Sequence, residues 1–275
     1  MNTPPSKKNV EKDAARQPHS ITSDTVRTDA ARLNTIGYND FREMAKNETL
    51  SRFEKIGFPN AYRAEKEHLI YADICTKLPA LHKERACILD IGCGCSDLPR
   101  LLIEQAAQKL QQLLMLDSPE MLGHLPESAH GKKIAACFPD CPELFPAYEN
   151  KCDAILVYSV IQYVFREANI FDFLDKALSL LAPQGRMLIG DIPNISMRKR
   201  FFASESGKAF HRAFTGRDED PPIELNSLEP NQIDDSVIMS LLSQARGAGF
   251  HAFVVPQDDQ LPMANRREDI LILRP

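Results

Sequence analysis

Between residues 85 and 193, short apolar runs alternate with stretches whose apolar residues recur every three or four positions, a rhythm few architectures accept. The runs are 87–91, 113–116, 133–136, 154–158 and 186–189. They are nearly continuous in apolar character, as strands covered on both faces must be. The intervening helical spacing is clearest at Leu98, Leu101, Leu102 and Ala106, and again at Ile170, Phe173, Leu174, Ala177, Leu178 and Leu181. Strands alternating with helices predict an α/β chain: a parallel sheet with helices on both faces.

The flanks read differently. Phe41, Met44 and Ala45, then Leu50, Phe53 and Ile56, predict two short helices broken near Asn47. Gly57, Phe58 and Pro59 stop the pattern, and Asn60 is placed to cap a third helix with the apolar stripe Leu69, Ile70, Ile74 and Leu78. Residues 21–80 are therefore read as a helical cover and 81–275 as the core. The polar residues 1–20 hold no apolar segment of a secretory signal and read as a disordered tail. After Pro193 the rhythm lapses, and 195–232 reads as a lid-like insertion over the sheet's edge. It then resumes with a helix carrying Ile233, Val237, Ile238, Leu241, Leu242 and Ala245, followed by strands at 250–255 and 270–273. The last two strands are joined by a segment without helical periodicity, so an antiparallel hairpin is expected there. The predicted sheet has seven strands, mostly parallel, with the last one antiparallel.

Composition excludes several classes. With 43% hydrophobic and 26% charged residues the chain is neither disordered nor fibrous, and no apolar run approaches a membrane span. A net charge of -5 disfavours non-specific nucleic-acid binding, which needs surplus cations. The seven cysteines are odd in number and read as reduced thiols of a cytoplasmic protein, with Cys75, Cys87 and Cys152 in apolar runs. Cys93 with Cys95, and Cys137 with Cys141, lack the C-x-x-C spacing of a zinc clip, so no metal is expected.

The segment CILDIGCGCSDLPRLL carries the chemistry. An apolar strand ends at Asp90, the turn Gly92-Cys93-Gly94 follows, and Ser96 or Asp97 can cap a helix that tolerates Pro99 in its first turn. Strand, glycine turn and helix form a nucleotide-binding corner where backbone can approach a ligand. A dinucleotide pyrophosphate would need glycine where Asp97 stands, and its charge would oppose Asp90. A cationic nucleoside suits acidic strand tips better.

This segment resembles motif I of the class I S-adenosylmethionine-dependent methyltransferases, and the resemblance runs in order through 85–275. It implies their Rossmann-like fold and S-adenosyl-L-methionine as cofactor. In LLMLDSPEML the second strand ends at Asp117, 23 residues after Gly94, where the family's acid takes both ribose hydroxyls. The same resemblance implies that Asp90, Gly92, Cys93 and Gly94 form the corner and that Ser118 and Met121 line the adenosine edge. It implies Cys137 and Phe138 beside the base, and Tyr158 with Ser159 facing the methionine moiety. Two departures stand out: Ala136, Cys137 and Phe138 replace an acid at the adenine amino group, and Cys95 replaces the third glycine.

Methyl transfer from a sulfonium needs a base only when the acceptor is a hydroxyl or a protonated amine. Asp191, at the end of the fifth strand, and His211, in the insertion, are the candidate catalytic residues, followed by Gln162 and Tyr163. For each, the competing reading is a structural hydrogen bond or a solvated side chain. The stretch MRKRFFASESGKAFHRAFTGR mixes six Lys or Arg with four Phe, which fits either a cup for an anion or a solvated amphipathic helix. The expected activity is methylation of a small-molecule or carbohydrate-like acceptor, with no membrane partner and a homodimer left open. The rivals are a protein or RNA methyltransferase, which would need a continuous basic groove, and a non-catalytic binding scaffold.

Overall fold

The computed structural model describes residues 36–275, so the readings made for 1–20 and 21–35 lie outside the described residues. Among the described residues, four helices come first: α1 (Tyr38–Lys46), α2 (Arg52–Lys55), α3 (Asn60–Arg63) and α4 (Glu67–Lys77). The break near Asn47 is present, and Ser51 starts α2 through a reciprocal box, its hydroxyl accepting from Glu54 N at 3.2 Å while its own N–H donates to the Glu54 carboxylate at 2.8 Å. The single helix expected from Asn60 onward is instead two, because Glu65 takes a left-handed backbone (φ 63°) between them. Arg63, on the near side of that break, is only 3% exposed.

The sheet and its helices follow in order: β1 (Cys87–Ile91), α5 (Asp97–Lys109), β2 (Gln112–Asp117), α6 (Pro119–Leu122), β3 (Gly131–Ala135), α7 (Leu144–Tyr148), β4 (Cys152–Tyr158), α8 (Ile161–Glu167), α9 (Ile170–Leu180) and β5 (Leu181–Pro193). Then come α10 (Ile195–Ala203), α11 (Glu205–Thr215), α12 (Asp235–Gly247), β6 (His251–Pro256) and β7 (Arg267–Leu273), with a 3-10 turn at Ala264–Arg266. The seven strands lie in the order β3-β2-β1-β4-β5-β7-β6. Strands β1 to β5 pair in parallel, and β7 runs antiparallel to both β5 and β6. The expected reversal of the last strand is therefore seen, with β7 inserted between its hairpin partner and β5.

Because side chains alternate across a strand, the central strands β1, β2 and β4 feed two cores. Leu89, Ile91, Leu114, Leu116, Ile155 and Val157 pack with Phe173, Leu174 and Ala177 of α9 and Leu241 and Ala245 of α12. Ile88, Leu113, Met115, Ala154 and Leu156 pack with Ile70 and Ile74 of α4 and Leu98 and Leu102 of α5. Each such side chain buried contributes about 1.5–3 kcal/mol, which makes the two faces the main source of stability.

Residues 195–232 hold α10, α11 and an irregular acidic segment. They leave from the carboxyl end of β5, an interior strand paired with β4 and β7. Ile195 N donates to Ile233 O at 2.9 Å, closing the base of the excursion.

Candidate functional site

The glycine corner is built by backbone geometry that other residues would resist. Gly92 (φ 72°) and Gly94 (φ 65°) are both left-handed. A Cβ at Gly92 would stand 2.6 Å from Val160 Cγ2, and one at Gly94 would stand 2.8 Å from Ile56 Cγ2. The cap of α5 differs from the expected one. Ser96 sits at the N-cap but makes no side-chain cap bond. Glu67 of α4 does so instead, its Oε2 accepting from Leu98 N at 2.7 Å and from the Ser96 hydroxyl at 2.9 Å. Burial raises the Glu67 carboxyl above the usual range, opposed by the Arg63 charge and these hydrogen bonds.

Two carboxyls mark the ends of β1 and β2. Asp117 Oδ2 accepts from Gly94 N at 2.8 Å and its Oδ1 from Ser118 N at 2.6 Å. Burial pushes its pKa up to about 6, and the two N–H donors hold it from rising further. Asp90 is 2% exposed, and its Oδ2 has no hydrogen-bond partner among the described residues. Burial first, and the Asp117 charge second, push Asp90 up to about 8. The sequence argument assigned a negative charge to both strand tips; at neutral pH Asp90 is mostly protonated, because burial without a partner outweighs its intrinsic acidity.

A cleft of about 360 Å³ opens at the carboxyl ends of β1, β2 and β4. Of the residues singled out for the cofactor, Gly92, Cys93, Gly94, Asp117, Met121, Cys137, Phe138 and Tyr158 line it. Asp90 and Ser118 are not among the lining residues, and the Ser118 hydroxyl caps α6 by accepting from Met121 N at 3.2 Å. Phe138 is steadied edge-on by Phe173 at 5.0 Å. The helical cover supplies a wall the sequence did not reveal: Tyr38 and Phe41 of α1, Ile56, Phe58 and Arg63. Helix α1 is held down by Arg42, which donates to both Glu120 oxygens at 3.0 and 2.8 Å, and by Tyr38 N to Glu167 at 3.0 Å. Phe41 also meets Tyr163 edge-on at 4.8 Å.

Asp191 and His211 are set elsewhere. Asp191 is left-handed (φ 59°), buried, and absent from the cleft lining. Its Oδ2 accepts from Arg63 Nη2 at 3.1 Å and from the Ser159 hydroxyl and pairs with Arg267 Nη1 at 2.7 Å, while that Nη1 donates to the Asp191 backbone oxygen at 3.1 Å. A base needs a free lone pair facing the acceptor, and these partners give the carboxylate an anchoring setting instead. His211 lies on α11, edge-on to Phe202 at 6.3 Å, and does not line the cleft. Tyr163 does line it, while Gln162 donates to Ser159 O at 2.8 Å. All seven cysteines are free thiols, and among the described residues no three His, Cys, Asp or Glu converge to hold a metal. No helix among the described residues is long and apolar enough to cross a membrane.

The chain matches no family model and no curated protein. Solved structures are similar to it at low identity. One is the plantazolicin methyltransferase BpumL in complex with a monoazolic desmethylPZN analog and SAH, at 13% identity over 90% of this chain and 98% of that one, with a TM-score of 0.54. Another is the N-methyltransferase NodS from Bradyrhizobium japonicum WM9 in complex with S-adenosyl-l-homocysteine, at 14% identity, 86% and 98% coverage and a TM-score of 0.51. A third is the complex of the Haloferax volcanii Trm112 methyltransferase activator with a methyltransferase, at 13% identity, 86% and 98% coverage and a TM-score of 0.52. The strand order, the reversed β7, the glycine corner after β1 and these likenesses agree: the chain has the Rossmann-like fold of the class I methyltransferases.

Proposed function

We propose that the chain is an S-adenosylmethionine-dependent methyltransferase acting on a small-molecule or carbohydrate-like acceptor. The observation that carries this reading is Asp117, at the cleft beside the glycine corner, together with a buried Asp90 whose Oδ2 has no partner. The residues fit that cofactor better than a dinucleotide. A pyrophosphate would seat on the N-terminal N–H groups of α5, but the Glu67 carboxylate already occupies Leu98 N.

Each Asp117 oxygen uses one lone pair on a backbone N–H and keeps one for a ribose hydroxyl. Met121, Cys137 and Phe138 would pack around the adenine, with backbone groups near Ala136 reading its edge. Tyr158, Ser159 and Arg63 would meet the methionine end, the guanidinium facing the carboxylate. Asp191 acts here as a positioning residue that holds Arg63 in place. When bound, the cofactor supplies a methyl group already activated by its sulfonium. The protein's part is to orient the acceptor and exclude water, worth up to about 7–11 kcal/mol when geometry is right. Phe41, Phe58 and α1 do the excluding. The likeness to structures that carry SAH supports the cofactor, and the modest volume of the cleft, about 360 Å³, supports a small acceptor.

The test is calorimetric titration with S-adenosylhomocysteine. Asp117→Ala should weaken binding by about 1.5–3 kcal/mol, the worth of hydrogen bonds to a charged group. An unchanged Kd would remove the ribose role. Incubation with the labelled cofactor and mass detection of methylated products then identifies the acceptor.

A further inference from the structure

The basic and aromatic stretch after β5 is neutralised residue by residue, with one exception. Lys199 pairs with Glu229 (3.2 Å), Arg200 with Asp235 (2.5 Å), Lys208 with Asp220 (3.4 Å), Arg212 with Asp220 (2.6 Å) and Arg217 with Glu219 (3.5 Å). The acidic segment that follows the stretch thus cancels much of its charge. Arg198 forms no ion pair among the described residues; it is exposed, with its guanidinium 5.2 Å from the centre of the Phe202 ring.

Arg266 lies in the turn before β7. It is half-buried, donates to Asn265 Oδ1 at 3.0 Å, and forms no ion pair among the described residues. Its guanidinium stands 5.8 Å from Phe202 and 5.7 Å from Phe210. Two unpaired guanidiniums therefore address one phenylalanine ring. Withdrawing a charge such as that of Arg266 from water without a counterion is costly, so buried arginines are ordinarily paired. Burial pushes Arg266 down to about 10, with the charges of Arg267 and Arg198 adding to the effect. Desolvation by the groups packed around it likewise lowers Arg198, opposed by the Glu229 charge. The nearby carboxylates are engaged: Glu229 by Lys199, Asp235 by Arg200, Glu268 by Asn194 at 2.6 Å and Asp191 by Arg63 and Arg267.

The cluster adjoins the cleft. Arg267, the next residue, lies 5.6 Å from the ring of Phe58, and Phe58 lines the cleft. We infer that Arg198 and Arg266, backed by Phe202 and Phe210, form an oxyanion-binding subsite for the acceptor, which carries a carboxylate or phosphate on a flat apolar group. Guanidiniums match either oxyanion through paired N–H donors, and the rings offer a face to the apolar part. Phe210 is 41% exposed and available for that contact. The inference rests on the methyltransferase reading for the word acceptor, but the anion site is tested separately from the cofactor.

The experiment titrates the full chain with benzoate, phenyl phosphate and neutral benzamide, with and without S-adenosylhomocysteine, at low and high salt. Saturable binding of benzoate or phenyl phosphate is expected, about tenfold or more tighter than benzamide and weakened by salt. The stronger of the two names the oxyanion. The R198A/R266A double variant should lose that binding about tenfold or more while its affinity for S-adenosylhomocysteine holds, and it should melt no lower than the parent, since no ion pair is broken. Equal binding of benzamide, or unchanged anion binding in the double variant, overturns the proposal. Should that variant not fold, the comparison of charged and neutral probes on the unaltered protein still decides. Failure of S-adenosylhomocysteine to bind would count against the methyltransferase reading alone.

Discussion

Asp90 shows how burial can reverse the meaning of a charged letter. In the sequence it is an acid at a strand tip, yet in the structure one of its oxygens is orphaned and its proton is retained up to about pH 8. The native pKa lies above the ordinary 3.8, so folding takes up a proton here. The stability tied to that proton is complete at low pH and disappears as pH climbs through about 8. Between pH 6 and 8 the parent should therefore lose on the order of 2 kcal/mol relative to Asp90→Asn. Denaturant unfolding of both proteins across that range measures it, and parallel stability profiles would exclude the effect. At this scale the sequence was informative where local geometry dictates the residue: Gly92, Gly94 and Asp117 all stand at the corner. Arg63 was invisible, since its partner Asp191 is 128 positions away and no spacing rule links them.

Among the elements, the start of α5 depends on a residue borrowed from another helix. Local signals favoured Ser96 or Asp97 as the cap, whereas Glu67 takes Leu98 N and Asp97 turns outward to Arg52 at 3.1 Å. Replacing Glu67 by Ala should cost about 1–3 kcal/mol in urea unfolding, because buried donors at Ser96 and Leu98 would lose their acceptor. Glu67→Gln should recover part of it, since an amide oxygen can still accept. If Glu67→Ala were as stable as the parent, the borrowed cap would have no energetic role. The strands and long helices were legible because runs of Leu and Ile leave a periodic trace on both faces. Short elements such as α6, α7 and α8 span too few turns to leave one, and the split between α3 and α4 hangs on a single left-handed Glu65.

For the molecule as a whole, binding and folding are linked. A ligand that occupies the cleft only in the native state, supplied at a hundred times its Kd, adds about 2.7 kcal/mol of stability. For a domain of this size that raises Tm by about 5–10 °C. S-adenosylhomocysteine should produce such a shift and oxidised NAD should not, because Glu67 already sits where its phosphates would go. The reverse outcome in a thermal melt would point to a dinucleotide cleft. Topology at this scale followed from the alternation of strands and helices. The cleft's outer wall did not, since Tyr38, Phe41 and Phe58 reach it by tertiary packing alone.

The buried Arg63–Asp191 pair, which joins the leading helices to the tip of β5, has a practical corollary for anyone trimming the chain. A fragment cut to begin at β1 would strip one of two guanidiniums from an acid that water cannot reach and would bare the apolar surface beneath α4. The opening helices are masonry in the pocket, and a minimal version of this protein has to keep them.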